Sequence, residues 1–136
     1  MPASGGETVQ VTRSGGLNPT PSSDGALIFY KIGGGIWQVP VAGGDETPVL
    51  SDHTGGQHHA IDGDGVYYLR RGVDEGSPRI SVLRLKSRET FDLWTLPKEK
   101  SFEGGNSISV SPDESRVTSQ LAEDTRVDLM LVEGVQ

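Results

Sequence analysis

The stretch Ser22-Ser23-Asp24-Gly25-Ala26-Leu27-Ile28-Phe29-Tyr30 is followed at once by Lys31-Ile32-Gly33-Gly34-Gly35-Ile36-Trp37-Gln38-Val39-Pro40-Val41-Ala42-Gly43-Gly44. Each apolar run is short and is closed by a Gly, Pro or Asp cluster, the mark of strands joined by tight turns. Asp-Gly suits a hairpin needing positive φ, and Gly-Gly suits the next one. Working outward, the same phrases return. An Asp-containing turn leads into a strand again at Asp62-Gly63-Asp64-Gly65-Val66-Tyr67-Tyr68-Leu69 and at Ser111-Pro112-Asp113-Glu114-Ser115-Arg116-Val117. Asp24, Asp64 and Asp113 are spaced by 40 and 49 residues. Pro2-Ala3-Ser4-Gly5-Gly6-Glu7 recurs after 38 residues as Pro40-Val41-Ala42-Gly43-Gly44-Asp45. The strand after each turn also repeats, at Gly35–Val41, Arg79–Leu85 and Val127–Val132.

A period of about 40–50 residues carrying four short strands is the signature of propeller blades. Helical repeats fail, because no breaker-free window of 12 residues places apolar residues at i, i+3, i+4 and i+7. The expected fold is all-β: about three four-stranded antiparallel blades in the order d-abcd-abcd-abc. Residues 7–12 form a lone d strand. The strands a, b, c and d follow at 17–21, 26–31, 35–41 and 47–51, then at 57–61, 65–70, 79–85 and 90–96. The last set is a, b and c at 106–110, 116–121 and 126–132. One partial propeller domain spans 1–136, with repeats at roughly 13–51, 52–96 and 97–136. Asp24, Gly25, Asp64, Gly65, Pro112 and Asp113 are assigned as structural turn residues.

The phrases "NPTPSSDGALIFY", "GIWQVPVAGGDETPVL" and "VSPDESRV…VDLMLVEG" resemble the TolB-like, or WD40-like (PD40), β-propeller repeat. The chain looks most like the C-terminal blades of a larger bacterial propeller protein. Repeat architectures expose long loops on one face as a binding surface, and the sequence offers no catalytic constellation, so the expected role is a non-catalytic scaffold that engages a protein partner. Its alternative is a ligand-binding or gating propeller attached to a catalytic or regulatory domain absent from this chain. The sequence departs from the repeat at Ser22-Ser23-Asp24, at Ile61-Asp62-Gly63-Asp64, and at Glu114, which replaces the turn glycine.

Composition narrows the chemistry. The 136 residues carry 19 Gly, 8 Pro and a net charge of −7. That charge argues against binding phosphate backbones or an anionic membrane. Without cysteine there are no disulfides, thiolate metal sites or Cys nucleophiles. No run approaches the ~18 apolar residues of a membrane span. The first residues show no signal-peptide pattern, and the compartment stays open. Catalytic and cofactor residues are expected to be none. His53, His58 and His59 are weak metal candidates, because adjacent His58 and His59 face opposite sides of a strand. Asp62-Gly63-Asp64-Gly65 fails as a calcium loop, since position 12 is Val73. Gly33-Gly34-Gly35 lacks the Gly-Lys-Ser/Thr of a phosphate loop, and no Gly-x-Ser-x-Gly elbow occurs.

Three blades do not close a ring that normally takes about 4–8. The expectation is therefore a partial propeller or half of a six-bladed ring. In the second case a homodimer closes the ring, with Thr8–Thr12 of one chain supplying the strand missing from the last set of the other.

Overall fold

The computed structural model describes residues 4–51, 54–70, 77–95, 97, 108–123 and 126–134. Eleven strands and no helix occur among them: β1 (Leu17–Pro21), β2 (Leu27–Ile32), β3 (Gly35–Pro40), β4 (Thr47–Leu50), β5 (Thr54–Asp62), β6 (Gly65–Arg70), β7 (Arg79–Arg84), β8 (Thr90–Thr95), β9 (Ile108–Val110), β10 (Arg116–Glu123) and β11 (Arg126–Glu133). They form three antiparallel meanders, β1-β2-β3-β4, β5-β6-β7-β8 and β9-β10-β11.

Two of the turns that start these meanders are built from the same atoms. Ser22 donates its amide to the Leu27 carbonyl at 2.9 Å, and its hydroxyl oxygen accepts the Leu27 amide at 2.9 Å. The Asp24 carboxylate accepts the Ser22 hydroxyl at 2.6 Å and the Ala26 amide at 3.0 Å. At the third meander the Ser111 amide donates to the Arg116 carbonyl at 3.0 Å, and the Ser111 hydroxyl accepts the Arg116 amide at 3.0 Å. Asp113 accepts the Ser111 hydroxyl at 2.5 Å and the Ser115 amide at 3.1 Å. Gly25 (φ 71) and Glu114 (φ 55) occupy the same left-handed position. Serine and aspartate satisfy locally the backbone groups that a tight turn strands, so the turn closes without tertiary help.

The second turn differs from its expectation. Gly63, at φ 51, is the left-handed residue between β5 and β6, and Gly65 is already the first residue of β6. Gly65 is small for another reason: a Cβ there would stand 2.6 Å from the Tyr67 ring. Asp64 reaches the neighbouring turn, where its carboxylate accepts the Lys86 amide at 2.9 Å.

Alternation along β6 assembles the core. Val66 and Tyr68 join Phe29, Ile36, Val49 and Leu83 between the first and second sheets. Tyr67 and Leu69 join Ile80, Val82, Ile108 and Val117 between the second and third. The middle sheet is thus buried on both faces, which explains why β6 is a continuous apolar run rather than an alternating one. The first strands lie side by side, β1 against β5 and β5 against β9. Side chains also tie sheet to sheet. Arg84 pairs with Glu114 at 2.9 Å and lies over the Tyr67 ring, while Arg88 donates to the Val49 carbonyl at 2.8 Å.

The expected d strand at 7–12 is not formed. A strand needs a neighbour's backbone to satisfy its amides and carbonyls. In the single chain, β11 is two sheets away from this segment. Residues 10–13 lie instead beside Gly43 and Gly44, at the β3–β4 turn of the first sheet. There the Glu46 carboxylate accepts the amides of Arg13 and Ser14. Gly16 then passes so close over Tyr30 that a Cβ would be 2.6 Å from its ring.

Candidate interaction surface

The third sheet has three strands where the others have four. β10 and β11 pair without a break from Arg116↔Glu133 to Glu123↔Arg126. The far edge of β11 has no neighbour among the described residues. β3 and β7 hold the same rank in their own sheets, and each is covered there by a fourth strand.

The two faces of β11 are unequal. Val132 packs against the cluster around Tyr67 and Val117. Leu129 and Leu131, on the opposite face, are 81% and 52% exposed. Leu131 borders an open cleft of about 270 Å³ with Ser109, Val110, Ser111, Arg116 and Thr118. The corresponding outer face of the first sheet is closed: Tyr30 is 2% exposed and Val39 fully buried. The run Leu129-Met130-Leu131-Val132 therefore has the both-faces-apolar composition of buried β6, yet one of its faces is bare.

The electrostatics around the sheets are local. Hydrogen bonds from the Ser111 hydroxyl, then from the hydroxyl and amide of Ser115, hold the Asp113 carboxyl down to about 2. The Ser22 hydroxyl and the Ala26 amide lower Asp24 in the same way. Asp92 is lowered by the Ser81 hydroxyl and by Arg79, which fasten β7 to β8 at 2.8 and 2.7 Å. Burial pushes the Tyr67 phenol up, with the Glu114 charge adding to it.

The sequence-derived metal candidates are not brought together. His59 is a buried side chain of β5, opposite Tyr68. His53 and the side chain of His58 lie outside the described residues. No group of three metal-ligating side chains occurs among the described residues. The turn residues Asp24, Gly25, Asp64, Pro112 and Asp113 all stand in turns. Sequence reasoning missed the bare face of β11 and the Arg84–Glu114 tie. The uninterrupted apolar run at 129–132 was the available signal for the first. A non-glycine residue at the turn-glycine position was the signal for the second.

No protein-family model matches the chain, and no curated protein matches it. Solved structures do. TolB from Acinetobacter baumannii superposes with a TM-score of 0.65 at 14% identity, over 86% of this chain and 29% of its own. Prolyl oligopeptidase B from Galerina marginata, bound to a 35mer hydrolysis and macrocyclization substrate, superposes with a TM-score of 0.60 at 16% identity. That match covers 90% of this chain and 20% of the peptidase. The chain thus spans less than a third of either structure. Successive meanders of four, four and three strands, their first strands adjacent and their faces stacked, give this chain a TolB-like, propeller-type fold.

Proposed function

We propose that the chain is a non-catalytic protein-interaction module whose partner adds to the open edge of β11 and covers Leu129 and Leu131. The observation that carries this reading is the strand with two apolar faces and one cover. An edge strand offers a row of unpaired amides and carbonyls, and an extended partner gains affinity from the ladder and specificity from alternate side chains. Panning displayed extended peptides against the chain, with Leu129→Asp/Leu131→Asp as counter-target, tests it. Enrichment of alternating apolar sequences that lose at least about tenfold in affinity on the variant, or ~1.4 kcal/mol, is the expected result. Failure to enrich any on a chain that is a single copy in solution, or equal binding to the variant, contradicts it.

The likeness to the peptidase favours a second reading, a ligand-binding or gating propeller joined to a catalytic or regulatory domain. In that case the next blade of a longer protein covers the bare face. A longer chain carrying that blade would then bury Leu129 and Leu131 and bind no strand peptide.

A further inference from the structure

We infer that the strand received by β11 is the segment Glu7-Thr8-Val9-Gln10-Val11-Thr12 of a second copy of this chain. The inference rests on the reading of β11 as an interaction edge and names its partner. Three observations converge on it.

The first is backbone geometry. Gly5 and Gly6 have φ values of 96 and 155, and Gly43 and Gly44 have 85 and 148. The second pair turns the chain from β3 into β4, the fourth strand of the first sheet. Residues 5–6 thus carry the turn that introduces a fourth strand, and 7–12 follow it without forming one.

The second is how loosely the segment sits. Val9 is 74% exposed, and open clefts of about 350 Å³ lie along residues 10–13 and beside Arg13, Ser14 and Trp37. An alternating Val-Gln-Val stretch has strand composition but pairs with no strand among the described residues.

The third is the balance of vacancies. The last sheet has three strands among the described residues, and the strand-like segment at 7–12 lies beside the first sheet, with the middle sheet between the two. Exchange between two copies fills both vacancies at once. The same surface patch serves on each copy, so the arrangement closes on itself. It gives six four-stranded sheets, within the range that closes a propeller. Val9 and Val11 share one side of the added strand, and Gln10 and Thr12 share the other.

The 136-residue chain itself supplies the test, by light scattering over a concentration series. The expected mass is twice the 14.5 kDa of one chain. The double substitution Val9→Pro/Gln10→Pro places a residue without an amide proton in each alternation of the segment. It should return the mass to that of one chain and keep the sheet signal in circular dichroism apart from the share of the exchanged strand, since no strand of the single chain includes these positions. A synthetic peptide of residues 5–14 should then bind the double variant and slow amide exchange along β11. A single-chain mass for the wild type overturns the inference, as does a dimer indifferent to both prolines or a polydisperse assembly. Peptide panning on β11 separates the two failures. A monomer that still captures other strand peptides leaves the interaction edge standing and loses the second copy as its partner, whereas a monomer that captures none loses both.

Discussion

Glu114 holds a left-handed backbone, φ 55, at the place where the first turn uses Gly25. For a residue with a Cβ that conformation costs on the order of 1 kcal/mol. The side chain gains an ion pair to Arg84 across the sheet boundary, at 2.9 Å and about a quarter to a third exposed. Beside it, Asp113 gathers the donors that the turn would otherwise strand. Its carboxyl lies near 2 when folded and near 3.8 when unrestrained. The folded value is the lower one, so the carboxylate's contribution is intact above about pH 4. It is lost as pH falls through about 2. A carboxyl-carbon titration by NMR should place the Asp113 midpoint near 2. Ser111→Ala, which deletes the strongest donor, should move it back toward the ordinary range. An Asp113 that titrates in the ordinary range in the wild type contradicts the turn geometry. This much chemistry was legible in Ser111-Pro112-Asp113, because a short polar side chain capping its own turn is a local event. The Arg84 partner was not, since the contact joins residues 30 positions apart.

At the scale of strands and turns, glycines divide into two kinds. Gly25 has φ 71, and a Cβ there would meet nothing within 4 Å. Gly35 has ordinary φ, but its Cβ would stand 2.7 Å from the Leu50 carbonyl of β4. Gly25→Ala should therefore cost about 1 kcal/mol, a backbone penalty alone. Gly35→Ala forces the β3–β4 ladder apart and should cost roughly 2–3 kcal/mol, within the range of severe point substitutions. Denaturant melts of the two variants check the order, and a larger loss at Gly25 would reverse the assignment. The same division explains what the sequence left ambiguous at Asp62-Gly63-Asp64-Gly65. Either glycine could supply positive φ, and the choice of Gly63 follows from the pairing of Asp62 with Gly65. The strand expected at 7–12 had the right composition and the right turn before it. Strand formation also needs a free edge within reach, which composition does not encode.

Across the whole molecule, the decisive arrangement is the stacking of three meanders with the second in the middle. The repeat spacing made the order of the eleven strands from Leu17 onward readable, because each blade repeats the same hairpin chemistry, while the strand it placed at 7–12 is not formed. Which faces touch was readable only in part. Continuous apolar runs at β6 and β11 both signal two buried faces, yet only β6 is covered twice. The difference lies in position along the stack and not in the strands themselves. Arg88, which reaches from the β7–β8 turn to the Val49 carbonyl, and Arg84, which reaches toward Glu114, hold the middle sheet to both neighbours.

Adjacent tyrosines report this stacking most directly. Tyr67 and Tyr68 follow one another in β6 and belong to different clusters. The measurement is a set of through-space proton contacts by NMR on side-chain-labelled protein. Tyr67 should show contacts to Ile108 and Val117 of the third sheet, and Tyr68 to Phe29 and Ile36 of the first, with neither ring sharing the other's neighbours. Contacts from both rings to one and the same sheet would contradict a propeller-type stack with the second meander at its centre.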